Sequence, residues 1–371
     1  MTKTAYLQLS DGTKFEGTLF GASKSVAGEV VFATGMTGYD MSMTDPSYTG
    51  QILVFTYPLI GNWGVPPKEF LESGHIHTKA IIVGDLTTKP NHWQMQQTLD
   101  SWCKKESVPI LSGIDTRALT QKLRKHGVML GKIVVEDKDI KLEDPNLRNL
   151  VAEVSPKRMY IHKSLIVNRT SLNIGLLNCG AKRNILNELI KRGVTVYELP
   201  WDYDPFEHNL KLDGLLISNG PGDPKMANKS IAIVKKSFEL KLPTFGVCLG
   251  NQLLALAAGG DTYKLKFGHR SQNQPTIEIG TKRCYITTQN HGFAVDEKKL
   301  PKGFKPWFIN ANDNTNEGIK HEKLPFFSVQ FHPEATPGPT DTTWLFDYFL
   351  KEVNKAKQQG RSLFKDRPLS K

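Results

Sequence analysis

The second half of the chain repeats a strand–turn–helix pattern, and this pattern constrains the fold more than any other feature of the sequence. From about residue 171, short apolar runs typical of buried strands alternate with segments whose apolar residues recur at helical spacing. Because parallel strands need long crossover connections, the alternation predicts a doubly wound, mostly parallel sheet with helices on both faces. Strands are predicted at 172–178, 194–199, 213–218 and 242–247, and helices at 181–192, 231–240 and 249–258.

The patterns in the first 150 residues predict a smaller, mixed α/β domain. An alternating run at 6–10 followed by Asp11-Gly12 indicates a hairpin. Further strands are predicted at 29–32 and 51–56. A helix is predicted at 116–126, where Gly127 can end it.

These patterns divide the chain into four parts. Residues 1–152 form the N-terminal domain, and residues 171–355 form the α/β domain. Residues 153–170 show no regular period and contain Pro156 with several basic residues, so they are interpreted as a linker. Residues 356–371 are interpreted as a basic tail, or as a linker to a further domain of a longer fused protein.

Composition argues against several classes of protein. The net charge is +11, but residues 351–371 hold seven basic and two acidic side chains, and no basic stripe is interleaved with aromatic residues, so no nucleic-acid partner is expected. No window approaches eighteen apolar residues and the N-terminus lacks an apolar leader, so we expect no membrane span and a cytoplasmic protein. The four cysteines are widely spaced, with no zinc or disulfide pattern, so no metal site is expected.

The segment from Phe245 to Gln252 contains a candidate nucleophile. Its pattern, Gly-x-Cys-x-Gly, lies between an apolar strand and an apolar helix. A sharp strand-to-helix turn needs small neighbours, which Gly246 and Gly250 supply. Cys248 would then lie at a helix N-terminus, where backbone N–H groups favour a thiolate and the Leu249 N–H can stabilise an oxyanion. The alternative is a buried structural cysteine.

A base for this thiol is predicted at His332. It follows a strand-like run at 326–331, and Glu334 comes two residues later. In an extended segment these two side chains face the same way, so Glu334 can orient the imidazole and stabilise its charged form. On its own, His-Pro-Glu after a strand is more often only a loop.

With a candidate nucleophile at Cys248 and a candidate base at His332, the chain resembles the class I glutamine amidotransferases. More narrowly, it resembles the small subunit, or fused glutaminase region, of carbamoyl-phosphate synthetase over residues 4–350. The matching stretches are Met36–Tyr39, Thr44–Tyr48, Leu53–Gly61, Ile114–Arg117, Gly180–Asn184, Ser218–Pro224, Gln289–Phe293, His332–Ala335 and Pro337–Pro339.

The resemblance implies roles for individual residues. It implies Cys248 as nucleophile, His332 as base and Glu334 as the orienting carboxylate. The glutamine contacts that it implies are Ser47, Gly220, Gly222, Leu249, Gln252, Asn290, Gly292 and Phe293. The Gly222 N–H, after a strand and beside Gly220-Pro221, is a second candidate oxyanion donor.

The resemblance also implies partners. It implies that glutamine is the substrate and that ammonia passes to a large synthetase subunit or fused domain. That partner would use ATP, Mg²⁺ and bicarbonate, so no cofactor is expected in this chain. The carbamoyl phosphate would supply either arginine or pyrimidine synthesis.

Two departures and three alternatives remain open. The position three after the nucleophile is usually histidine in this family and is Asn251 here, and the segment 267–275 also differs. The alternatives are a silent docking subunit of the same complex, another cysteine–histidine hydrolase, and a GMP or anthranilate synthase subunit. The last two give no reason for residues 1–150.

Overall fold

The computed structural model describes residues 4–164 and 172–359, which divide into two compact units. The first comprises residues 4–150, 265–272 and 336–338, and the second comprises the other described residues. Among the described residues no helix is both long and apolar enough to cross a membrane.

The first unit is a mixed α/β structure. Its elements are β1 Thr4–Leu9, β2 Lys14–Gly21, β3 Val26–Ala33, α1 Tyr39–Thr44, β4 Gln51–Phe55, β5 Leu59–Ile60, β6 Ala80–Ile82, β7 Asp85–Leu86, α2 Leu99–Lys105, β8 Pro109–Ser112, α3 Thr116–His126 and β9 Met129–Val135. Seven strands pair in the order β1, β2, β8, β6, β4, β3 and β9, and β9 pairs back onto β1. The β3–β4, β4–β6 and β6–β8 ladders are parallel, and the others are antiparallel.

Two local predictions in this unit are confirmed. Strands β1 and β2 form the predicted hairpin. Helix α3 has the predicted bounds: the Asp115 carboxylate accepts from the Ala118 N–H at its start, and Gly127, with φ 97°, ends it. Its buried residues are Leu119 and Leu123, one helical turn apart, so a single apolar face anchors the helix.

The second unit contains a large sheet with helices on both faces. Its elements are α4 Leu150–Val154, β10 Tyr160–His162, β11 Asn173–Asn178, α5 Arg183–Ile190, β12 Thr195–Pro200, β13 Gly214–Ile217, α6 Asn228–Glu239, β14 Thr244–Val247, α7 Leu249–Ala257, β15 Thr262–Glu278, β16 Cys284–Val295, β17 Phe304–Asn310, β18 Asn316–His321, β19 Phe326–Val329 and α8 Trp344–Gln358, except that Leu150 and residues 265–272 of β15 are counted with the first unit. The strand order is β10, β12, β11, β13, β14, β19, β18, β17, β15 and β16.

The middle of this sheet is the predicted parallel, doubly wound core. Strands β12, β11, β13, β14 and β19 are joined by parallel ladders. Apolar residues of α5 and α8 pack in one core cluster, and those of α6 and α7 pack in another. Helices therefore cover both faces, as the alternating pattern predicts.

The flanks of the sheet are antiparallel, and the sequence analysis did not predict this part. Strand β18 pairs antiparallel with β19, β17 with β18, and β15 with β17. Residues of β15 alternate irregularly between buried and exposed positions, so they lack the continuous apolar runs that mark the parallel strands.

The predicted linker needs a correction. Residues 160–162 form strand β10, which pairs antiparallel with β12 at the edge of the sheet. Tyr160 and Ile161 are exposed, so the strand carries no burial pattern that a sequence could reveal. Linker residues 165–170 and tail residues 360–371 lie outside the described residues, and α8 continues to Gln358.

Candidate active site

Four neighbouring parallel strands converge on one edge of the second unit's sheet. The residue Cys248 directly follows β14, the loop with Gly220 follows β13, His332 follows β19, and Lys182 follows β11. Because β11, β13, β14 and β19 are adjacent and parallel, their carboxyl ends meet at the same edge. This edge is where open α/β sheets bind ligands.

Cys248 occupies a strained turn between β14 and α7. Its φ is 55° and its ψ −102°, values that a residue with a side chain rarely adopts. Its N–H donates to the Val329 carbonyl at 2.8 Å. A methyl group on Gly246 would lie 2.4 Å from the Gly250 carbonyl oxygen, and one on Gly250 would lie 2.3 Å from that of Ile217. Both glycines are therefore required for this turn.

His332 and Glu334 form a fully buried pair. The His332 Nδ1 lies 2.6 Å from the Glu334 Oε1, whereas Nε2 has no hydrogen-bond partner among the described residues. Burial lowers the pKa of His332, but the charges of Glu334 and Cys248 outweigh it and raise that pKa to about 10. Nε2 is thus the nitrogen left for chemistry with the thiol or a substrate.

Lys182 and Asn184 hold the Glu334 segment, and the sequence analysis assigned neither a role. The buried Lys182 Nζ lies 3.2 Å from the Glu334 Oε1 and donates to the Ala335 carbonyl, while Asn184 donates to the Glu334 carbonyl. Burial raises the pKa of Glu334, but Lys182 and His332 outweigh it and lower that pKa to about 2. The only signal in the sequence was that both residues lie in a stretch matching the family.

The loop after β13 is hydrogen-bonded to helix α7, which follows Cys248, and to the loop after β11, which carries Lys182. The Ser218 carbonyl accepts from the Gly250 N–H at 3.1 Å, and the Asn219 Oδ1 accepts from the Lys182 N–H at 3.0 Å. Gly222 has a φ of 83°, a left-handed conformation that favours glycine. These contacts fix the backbone that carries the predicted oxyanion donor.

Gly220 gives a direct test of this loop. A methyl group there would lie 2.2 Å from the Cys179 carbonyl oxygen, so Gly220→Ala must displace backbone. We expect it to destabilise the protein by about 1–3 kcal/mol and to reduce the predicted glutamine turnover, measured by urea unfolding and glutamate release. In the matched control, Gly74→Ala, the added methyl has open space and both values should stay unchanged. Equal behaviour of the two variants would show that the close approach is unimportant.

Several predicted glutamine contacts lie around the sulfur. The Cys248 Sγ lies 3.6 Å from the Asn290 carbonyl oxygen. Asn290, Gly292 and Phe293 all lie on β16, and the Gln252 amide on α7 donates to the Phe293 carbonyl at 2.8 Å. The structure therefore brings Cys248, Gln252 and this part of β16 together, while their roles toward glutamine stay predictions.

Two further predicted contacts differ in their setting. Leu249 is the first residue of α7, where backbone N–H groups have no acceptor within the helix. Ser47 belongs to the first unit, in a short 3-10 turn, and its N–H donates to the Asp45 carboxylate at 2.9 Å. Its role as a glutamine contact stays a prediction that rests on the resemblance.

Comparison with known proteins identifies the family. Residues 175–352 match the model of the class-I glutamine amidotransferases, and residues 7–133 match that of the carbamoyl-phosphate synthase small chain, CPSase domain. The arginine-specific small chain of carbamoyl phosphate synthase from Saccharomyces cerevisiae is 45% identical over 369 residues, which cover 95% of this chain and 90% of that protein. This chain belongs to the carbamoyl-phosphate synthase small-chain family. The predicted family and its class I amidotransferase domain are confirmed.

Other relatives are much longer proteins. The multifunctional protein pyr1-3 of Dictyostelium discoideum is 48% identical over 385 residues, which cover 97% of this chain and 17% of that protein. The human mitochondrial carbamoyl-phosphate synthase [ammonia] is 45% identical over 366 residues, which cover 96% of this chain and 24% of that protein. The chain thus spans less than a quarter of the length of these two relatives.

Proposed function

We propose that the chain hydrolyses glutamine at Cys248 and supplies the ammonia to a carbamoyl-phosphate synthase large subunit or fused domain. The observation that carries this proposal is the strained Cys248 turn beside the buried His332–Glu334 pair, in a chain of this family. The His332 charge is stabilised by Glu334, as a base that works with a thiol requires.

The proposed reaction proceeds in two steps. The Cys248 thiolate attacks the side-chain amide carbon of glutamine, and the N–H groups of Gly222 and Leu249 stabilise the oxyanion. The carbon–nitrogen bond then breaks, His332 protonates the leaving ammonia, and a γ-glutamyl thioester remains. Water, deprotonated by His332, attacks the thioester and releases glutamate and the thiolate. No cofactor in this chain takes part.

The partner would carry out the energy-requiring chemistry. Activation of bicarbonate by ATP and Mg²⁺ belongs to the synthetase in this proposal, and the small-chain family supports such a partner. The human relative, named for ammonia, favours a second candidate: a docking subunit without glutaminase activity. Location in the cytoplasm and the choice between arginine and pyrimidine synthesis stay predictions.

Glutamate release from glutamine separates the two candidates. The purified chain is assayed alone and with a carbamoyl-phosphate synthase large subunit. A glutaminase releases glutamate, and we expect the rate to rise when the partner is present. A folded chain that binds the large subunit and releases no glutamate with it would be the silent docking subunit, and the proposed function would be wrong.

A further inference from the structure

A buried network of side-chain amides lies behind the Cys248 sulfur. The side chain of Gln330, between β19 and His332, is fully buried, and its Nε2 lies 3.7 Å from the Cys248 Sγ. Its Oε1 accepts two hydrogen bonds at 3.1 Å, from the Asn251 Nδ2 and from the Gln252 Nε2. Gln330 was not singled out from the sequence, because a lone glutamine after a strand carries no pattern.

The two donors determine which end of the Gln330 amide faces the sulfur. An amide is nearly symmetric in shape, so its neighbours decide its orientation. With Asn251 and Gln252 both donating to Oε1, reversing the amide would place nitrogen against two N–H donors. Nε2 therefore faces Cys248.

Asn251 is itself held in one orientation. Its Oδ1 accepts from the Ser328 hydroxyl at 2.8 Å, which turns Nδ2 toward Gln330. Ser328, Asn251 and Gln330 are all fully buried, so the network is shielded from water. In such surroundings an amide that loses its partner is costly to accommodate, and each link depends on the one before it.

We propose that Asn251 is a positioning residue that holds the Gln330 amide with its N–H directed at the Cys248 sulfur. This inference rests on the proposed glutaminase function. In that reaction the sulfur is anionic twice, before it attacks the amide and when the thioester is hydrolysed. An N–H donor stabilises an anionic sulfur more than a neutral one, so Gln330 raises the population of the thiolate that attacks the amide and lowers the barrier to thiolate departure when the thioester is hydrolysed. Asn251 acts through Gln330 and does not reach the substrate.

The test uses the full chain with Cys284→Ser, which removes the exposed cysteine. The variants are Asn251→Leu, close in shape but without a donor, and Asn251→His, larger but with an N–H. Readouts are kcat and KM for glutamine, and the rate at which iodoacetamide alkylates Cys248, followed by mass spectrometry. We expect Asn251→Leu to lower kcat and the alkylation rate about tenfold with little change in KM, because a hydrogen bond to a charged group is lost. Asn251→His should recover most of that loss.

A double variant tests whether Asn251 acts through Gln330. Gln330→Leu should reduce the alkylation rate about as much as Asn251→Leu does, and the combination should be no worse than Gln330→Leu alone. Additive losses, an unchanged rate in Asn251→Leu, or a loss in folded Asn251→His equal to that in Asn251→Leu would each overturn the proposal. If Asn251→Leu does not fold, Ser328→Ala replaces it, with a slower alkylation rate expected and an unchanged rate contradicting the proposal.

Failure of this inference can be told apart from failure of the proposed function. If the chain hydrolyses glutamine and the variants have the same kcat and alkylation rate as the parent chain, only the positioning role of Asn251 is wrong. If the chain hydrolyses no glutamine even with a large subunit, the proposed function is wrong, and the alkylation rates still decide whether Asn251 controls the sulfur.

Discussion

Replacement of Cys248 by alanine is expected to reduce glutamine hydrolysis by at least about 10⁴-fold, because the proposed reaction forms its thioester on the Cys248 sulfur. Steady-state glutamate release measures this. Cys284→Ala is the matched control, since Cys284 is exposed at the start of β16 and should be dispensable. The folded state of Cys248→Ala is checked by thermal unfolding, and because alanine keeps the Cβ and therefore the strain of the turn, the melting temperature should stay close to that of wild type.

The same variant separates the two halves of the proposed reaction. Paired with a large subunit, Cys248→Ala should lose carbamoyl phosphate formation from glutamine while formation from added ammonia continues. Persistent glutamine turnover in this variant would show that Cys248 is not the nucleophile. Loss of the ammonia-driven reaction as well would indicate that the variant disrupts the complex.

Replacement of Lys182 by methionine is expected to destabilise the protein by about 3 kcal/mol. The change removes the Lys182 ammonium from the buried Glu334 carboxylate, while His332 continues to pair with that carboxylate. Urea unfolding followed by circular dichroism measures the loss. Lys355→Met is the matched control: the Lys355 side chain is 60% exposed and pairs with Glu352 on the surface of α8, so its removal should cost less than about 1 kcal/mol.

The difference in unfolding free energy between wild type and Lys182→Met should depend on pH, which provides a second check. The pKa of Glu334 is lowered to about 2, so its ionised form stabilises the folded state above its ordinary pKa near 4.5, and this contribution is lost as the pH falls toward 2. The difference between wild type and Lys182→Met should therefore narrow at acidic pH. A loss of unfolding free energy in Lys182→Met that stays constant with pH, or that equals the loss in Lys355→Met at neutral pH, would show that the buried pair does not stabilise the fold.

The position of the nucleophile was predictable because its requirements are local. The turn at Cys248 needs glycine at 246 and 250, and a strand and a helix on either side, all within one short segment. His332 and Glu334 were predictable as a pair for the same reason, since residues two apart in an extended segment face the same way.

The supporting residues were not predictable, because they are defined by distant contacts. Lys182 reaches Glu334 from 152 positions away in the chain, and Asn251 reaches Gln330 across 79. Each lies in a segment whose apolar pattern gives no sign of a polar contact. Asn251 was noted in the sequence only as a departure from the family's usual histidine.

The sequence by itself determined the parallel core of the second unit, helix α3 and the cysteine turn, because apolar periodicity and glycine requirements act over a few neighbouring residues. Tertiary structure alone decided the antiparallel flank β15 to β18, the edge strand β10, the ion pair of Lys182 with Glu334 and the amide network at Gln330. Those features depend on which buried polar groups meet when strands distant in sequence become neighbours, and a buried polar group is stable only once that partner is in place.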